Sequence, residues 1–170
     1  MQKALFLDRD GVINIEKNYL YKKEEFIFIE GIFELCLHYA KKNYLIFVVT
    51  NQSGIARGYY TQNEFEILTS WMIDEFKLHG IDIAKVYFCP HFPEISGVCE
   101  CRKPRPKMLL DAKKEFDLDM PNSLLVGDKE RDIEAALNAG VLETYLYLEE
   151  NKIQATKATK IVHSLNEIWE

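Results

Sequence analysis

"KALFLDRDGVI" (residues 3–13) carries a short apolar run into two aspartates one position apart and then meets a glycine. Side chains alternate along extended backbone, so Asp8 and Asp10 fall on one side and Arg9 points away. Gly11 gives the chain freedom to turn sharply. Two carboxylates side by side repel unless a proton or a cation intervenes. The stretch is therefore either a polar turn or an anionic site built for a cation and a phosphate.

Three more apolar runs end in polar residues: "LIFVVTN" (45–51), "KVYFC" (85–89) and "SLLVGD" (123–128). "TYLYL" (144–148) reads as a fifth strand and "KIV" (160–162) as a short sixth. None alternates cleanly, which suits strands buried on both faces of a parallel sheet. Helical patterns lie between them at 31–43, 61–80, 107–117, 131–140 and 164–170. The second opens with a capping box, Thr61 and Glu64, and stops at Gly80; the fourth stops at Gly140; the last repeats the Ser-x-x-Glu start. This alternation predicts an α/β fold, a doubly wound Rossmann-like parallel sheet sandwiched by helices. Ligands bind such sheets beyond the carboxyl ends of the strands. There stand Asp8 and Asp10, Thr50 and Asn51, the cysteine loop after Phe88, and Asp128. The stretch from Gly11 to Gly31 is long for a βα loop, and "EEFIFI" (24–29) predicts a small hairpin over the site. The polar segment 149–160 is expected to be mobile.

A chain of 170 residues, 48% of them hydrophobic, suits one globular domain spanning 1–170 with no large cap. The net charge of −6 is spread out, and no basic stripe or polybasic tail points to nucleic acid or a membrane surface. An anionic substrate would then need local Lys, Arg or metal. No secretory leader is read at the N-terminus, so a cytoplasmic location is expected, with a monomer as the default.

"CPHFPEISGVCECRK" (89–103) reads C-x-H, seven residues, C-x-C. Reduced thiols point to metal rather than disulfides. Cys89, His91, Cys99 and Cys101 suit a closed, structural tetrahedral Zn²⁺ site in a loop over 89–101. Arg102 and Lys103 follow the last ligand, so zinc would fix the loop that presents two cations. Cys36 reads as a buried small hydrophobe, His38, His79 and His163 as surface residues, and Trp71 and Trp169 as packing.

At the other strand ends the residues suit Mg²⁺, which takes oxygen ligands and often joins carboxylates to a phosphate. One oxygen of Asp8 can serve a cation while the other attacks phosphorus, and Asp10 can move the proton. Thr50 offers a hydroxyl and backbone N–H groups, read here as lying near a helix start. Asp132 is open between supporting this site and lying on a solvated helix face.

"LDRDG", "VVTNQSG", "CRKP" and "LVGDKERD", each after a strand and in this order over residues 4–140, resemble the haloacid dehalogenase (HAD) superfamily of phosphohydrolases. The resemblance implies Asp8 as nucleophile and Asp10 as general acid and base. Thr50 and Lys103 would hold the phosphoryl oxygens, and Mg²⁺ would be bound by Asp8, Asp128 and the Asp10 carbonyl. "TNQSGIARG", "CPH" and "CRKPRPKMLL" are similar to the branch holding the D-glycero-D-manno-heptose 1,7-bisphosphate 7-phosphatases and histidinol-phosphate phosphatases. The implied reaction is loss of the C7 phosphate of D-glycero-β-D-manno-heptose 1,7-bisphosphate, a small phosphorylated substrate, toward nucleotide-activated heptose. Asn51, Gln52, Ser53, Arg102, Lys129 and Tyr19 align with substrate-contacting positions. Arg102 suits the second, non-reacting phosphate because a guanidinium binds bidentately, and Arg57 is another candidate. Two features depart from the heptose pattern. The His-to-Cys span of seven is nearer the histidinol-phosphate enzymes, and Asn18 and Tyr19 stand where many heptose enzymes have His-Gly-Tyr. Histidinol-phosphate phosphatase stays the alternative, and a zinc-stabilised, non-catalytic binding module a remote one.

Overall fold

The computed structural model describes all 170 residues. In chain order the elements are β1 (Lys3–Leu7), α1 (Ile32–Lys41), β2 (Tyr44–Asn51), α2 (Gln62–Leu78), β3 (Ile83–Cys89) and α3 (Pro93–Ser96). They continue as α4 (Lys107–Phe116), β4 (Leu124–Gly127), α5 (Glu130–Asn138), β5 (Glu143–Tyr147) and β6 (Lys160–Val162). All six strands run parallel in one sheet, ordered β3-β2-β1-β4-β5-β6.

The apolar runs lack alternation because both faces of the sheet are covered. Leu5, Leu7, Ile46, Val48, Leu124 and Val126 face a core of 22 buried residues that includes Leu35 of α1 and Leu68 and Phe76 of α2. Their neighbours Ala4, Phe6, Phe47, Val49 and Leu125 face a second core of 17, with Leu109 of α4 and Ile133 of α5. Each fully buried Leu, Ile or Phe adds on the order of 2 kcal/mol of apolar transfer, so the central strands anchor whatever hangs from their ends.

The helix signals hold where a cap was visible. At α2 the Glu64 N–H donates to the Thr61 hydroxyl at 3.1 Å and the Thr61 N–H to the Glu64 carboxylate at 3.1 Å. Gly80 and Gly140 close their helices at φ 77° and 92°. Elsewhere the structure differs. The capping box at Ser164 and Glu167 is present, yet what it starts is a 3₁₀ turn (Leu165–Ile168) and not an α-helix. No hairpin forms at 24–29: Lys23–Glu25 is a 3₁₀ turn, and Asn14 and Phe28 make a single isolated bridge. The rings of Phe26 and Phe28 go instead to packing against Trp71, at 5.3 and 5.9 Å. The cysteine loop also contains the short α3 begun by Pro93, which the spacing did not announce.

β1 is the turning point of the sheet. The chain leaves it toward β2 and β3 on one side and reaches β4, β5 and β6 on the other. The crevice expected at such a reversal lies beyond Leu7 and Gly127, where Asp8 and Asp128 follow.

Candidate active site

Lys103, reaching in from the loop before α4, is 1% exposed. Its ammonium is ringed by an Asp132 carboxylate oxygen at 2.7 Å, the Val49 carbonyl at 2.7 Å and Asp8 Oδ1 at 3.1 Å. The ammonium donates to Asp8 and to the Val49 carbonyl, and Asp132 pairs with it by charge. Burial alone would lower the Lys103 pKa; Asp132 and Asp8 outweigh it and hold the group raised and charged. Asp132 resolves in favour of support. It is 0% exposed, and its Oδ2 accepts the backbone N–H of Asp128 at 3.2 Å and of Lys129 at 3.1 Å, tying down the entry to α5. Gly127 has no Cβ because one there would collide with the Asp132 carboxylate; at Gly11, φ 88°, one would collide with Asp128.

Asp10 is held from three sides. Its Oδ1 accepts from Arg9 Nη2 at 2.9 Å and Asn14 Nδ2 at 3.1 Å, and its Oδ2 accepts from Gln52 Nε2 at 3.1 Å. Arg9 does not point away as alternation implies. It is 2% exposed and folds back to Asp10, with Nη2 also donating to the Leu20 carbonyl at 2.9 Å. The turn at Gly11 ends the extended geometry on which the alternation rule depends. Gln52 Nε2 also donates to the Thr50 hydroxyl at 2.9 Å, and its carbonyl oxygen accepts from the Tyr60 hydroxyl. The Gln52 amide is thus committed within the protein, holding Asp10 and Thr50. Thr50 is buried, but no helix starts after it: residues 53–58 form turns and α2 begins only at Gln62. Asn51 clasps the backbone of Lys103, accepting its N–H at 3.0 Å and donating to its carbonyl at 3.3 Å.

Outside this cleft lies a polar cavity of about 330 Å³ that Asp10 shares with Asn51, Ser53 and Tyr19. Arg57, Arg102 and Lys129 reach it, so the sequence-derived substrate residues do converge; Glu16 and Arg131 reach it too and were not foreseen. Aromatic rings brace its rim. Tyr19, in left-handed backbone at φ 63°, packs on Tyr59 at 4.5 Å, and the Arg57 guanidinium lies 3.7 Å from the ring of Phe92.

Cys89, His91, Cys99 and Cys101 meet beside this cavity, their ligand atoms all within 4.8 Å of one another. Cys89 Sγ is 2.7 Å from Cys101 Sγ, 3.6 Å from Cys99 Sγ and 3.5 Å from His91 Nδ1, which is 3.2 Å from Cys101 Sγ. Burial pushes the Cys89 thiol up. It pushes Cys99 up too, but the Arg102 N–H and the neighbouring sulfurs outweigh it and bring Cys99 down to about 7.

A model of the HAD-hydrolase-like family matches residues 100–168. The chain is 56% identical over 150 residues to the D-glycero-α-D-manno-heptose-1,7-bisphosphate 7-phosphatase of Campylobacter jejuni, covering 88% of this chain and 85% of that one. This chain belongs to the HAD-like phosphatase family. The D-glycero-β-D-manno-heptose-1,7-bisphosphate 7-phosphatase of Helicobacter pylori (strain 26695) is 48% identical, over 86% of this chain and 84% of its own. Among solved structures, the D,D-heptose 1,7-bisphosphate phosphatase of B. bronchiseptica, complexed with magnesium and phosphate, superposes with a TM-score of 0.86 at 28% identity, covering 98% and 96% of the two chains. No helix of this phosphatase is long and apolar enough to cross a membrane.

The cleft of this HAD-like phosphatase suits a divalent cation. Oxygens of Asp8, Asp128 and Asp132 lie within 4.8 Å of one another. Burial and then Asp132 push the Asp8 carboxyl well up against the pull of Lys103, and the same two causes push Asp128 up to about 6. That cost is what a cation between Asp8 and Asp128 removes, while Asp132 is already occupied by Lys103 and two N–H groups. The Asp10 carboxylate, turned to Arg9, Asn14 and Gln52, leaves its backbone carbonyl as the atom it could offer. At the cysteines, Zn–S bonds of ~2.3 Å and a Zn–N bond of ~2.0 Å put tetrahedral ligand atoms roughly 3.5 Å apart. Three of the four measured separations fall near that value, and a cation would also open the crowded Cys89–Cys101 pair.

Proposed function

We propose that this chain is a Mg²⁺-dependent phosphatase that removes the C7 phosphate of D-glycero-D-manno-heptose 1,7-bisphosphate, leaving heptose 1-phosphate for nucleotide-activated heptose. Residues 1–170 would act as one catalytic domain, in a reducing cytoplasm. The observation that carries the substrate is the 56% identity to the Campylobacter jejuni enzyme across 88% of the chain.

In this reading an Asp8 carboxylate oxygen attacks phosphorus and the bond to the sugar O7 breaks, giving an aspartyl-phosphate. Asp10, held by Arg9, Asn14 and Gln52, gives its proton to the departing O7. It then takes a proton from the water that attacks the aspartyl-phosphate, and inorganic phosphate leaves. Lys103, beside Asp8, and the Thr50 hydroxyl hold the phosphoryl oxygens as their charge builds. Mg²⁺ bound by Asp8, Asp128 and the Asp10 carbonyl would offset the charge that otherwise keeps an anionic nucleophile from an anionic ester. Asn51 holds the Lys103 backbone, and Gln52 sets the angle between Asp10 and Thr50.

With Mg²⁺ present, kcat/KM for heptose 1,7-bisphosphate should exceed that for histidinol phosphate by about 100-fold or more, and the product should keep its phosphate on C1. Preference for histidinol phosphate would overturn the substrate assignment; no turnover of any phosphomonoester would favour a binding module. Both anomers should be compared, since the Campylobacter and Helicobacter relatives are named for α and β respectively.

The cysteine cluster supports a structural Zn²⁺ on Cys89, His91, Cys99 and Cys101. Protein purified without added zinc should hold about one zinc per chain. Stripping it should raise KM more than it lowers kcat, because Phe92 of this loop packs against Arg57, 3.7 Å away, and Arg102 lies 5.9 Å from the same ring. Zinc-free protein with an unchanged KM would count against that role.

A further inference from the structure

We propose that Arg131 is a specificity residue: with Arg57 and Arg102 it binds the non-reacting phosphate of the substrate and so sets a preference for bisphosphates over monophosphates. The inference rests on the sugar-bisphosphate reading above and extends it to a residue that neither the motifs nor the catalytic geometry required.

Three observations converge on Arg131. It borders both the narrow cleft around Asp8 and Lys103 and the wider cavity that holds Arg57 and Arg102, so it spans from the reacting centre to the far side of the substrate space. No carboxylate lies within 4.0 Å of the side-chain nitrogens of Arg57, Arg102 or Arg131, whereas Arg9 is paired with Asp10 and Lys103 with Asp8 and Asp132. Arg57 Nε is buried with no hydrogen-bond partner. A chain with net charge −6 has gathered three like charges around one cavity, and none of the three is paired with the carboxylates, Asp10 and Glu16, that also line it.

Local helix physics points the same way. Arg131 is the second residue of α5, where a cation opposes the positive end of the helix dipole. Helical side chains lean toward the N-terminus, which carries this one back over the helix start and into the cavity. A residue that breaks a local rule without a partner on the protein is the pattern expected of a ligand contact. The transferring phosphoryl group already has Lys103 and Thr50, so the unpaired guanidiniums are left for a second dianion. A sugar carrying only the C7 phosphate would leave them unpaired.

The test compares heptose 1,7-bisphosphate with heptose 7-phosphate on the wild type, Arg131→Gln and Arg131→Lys. Wild type should prefer the bisphosphate. Arg131→Gln should lower the ratio of the two kcat/KM values by about 10- to 100-fold, chiefly through KM for the bisphosphate, and Arg131→Lys should recover part of it. Equal losses on both substrates would overturn the proposal, placing Arg131 on the reacting phosphate or in the fold. An unchanged ratio would overturn it too, leaving a solvated cation while the bisphosphate reading stands. A wild type with no preference between the substrates would remove both this proposal and that reading.

Discussion

Asp8→Asn should lower kcat by about 10³-fold or more while the metal-free protein melts no lower than wild type. The amide has nearly the shape of the carboxylate but no anionic oxygen to attack phosphorus. Stability should hold because Asp8 is costly as it stands: burial, Asp132 and Asp128 all push its carboxyl up, and only Lys103 pulls it down. Lys103 keeps Asp132 at 2.7 Å and the Val49 carbonyl at 2.7 Å after the change, so the ammonium is not orphaned. Mg²⁺ should raise Tm less in the variant. Steady-state turnover and thermal melts with and without Mg²⁺ read both outcomes, and retention of more than about a tenth of wild-type kcat would rule Asp8 out as nucleophile.

Asp132→Ala should instead cost stability, on the order of 3–5 kcal/mol, with loss of activity as a consequence. The deletion leaves buried Lys103 with one anionic partner instead of two, and it frees the N–H groups of Asp128 and Lys129. It also opens space above Gly127, whose missing Cβ the Asp132 side chain fills. Urea unfolding at constant m-value measures the loss. A cost under about 1 kcal/mol would place Asp132 among the solvated helix residues. Asp132→Asn should fall between, since the amide oxygen can still accept one of the two backbone N–H groups.

The fold was legible because burial on both faces left its mark in composition. The apolar run that leads into Asp8 is the strand Lys3–Leu7, and "LIFVVTN" (45–51) is the strand Tyr44–Asn51. Strand ends were legible because polar residues interrupt apolar runs there. What could not be read are contacts that join distant segments. Asp132 looked ambiguous because its partner lies 29 positions away, on a loop with no periodic signal. The hold of Gln52, which also lines the cavity, on Asp10 and Tyr60 was not legible because nothing local joins position 52 to positions 10 and 60. Arg9 escaped the alternation rule because the turn at Gly11 ends the strand geometry on which the rule depends. One signal was available and unused: a cation at the second position of α5, which the dipole disfavours.

The order of the sheet sets a timetable for making this protein. β1 leaves the ribosome before the other five strands of the sheet, yet it ends up at the centre, between β2 and β4. Its partner on one flank, Leu124–Gly127, is translated about 120 residues later, which at ribosomal rates is a delay of roughly 6 to 24 s. Through that interval an apolar strand presents one unpaired edge, the condition under which nascent chains associate with one another. The same delay keeps Asp8 apart from Asp128 and Asp132, so the acids crowd together only when the strand that closes the gap arrives with them. Chemistry and the sealing of the sheet are completed by the same late stretch of chain.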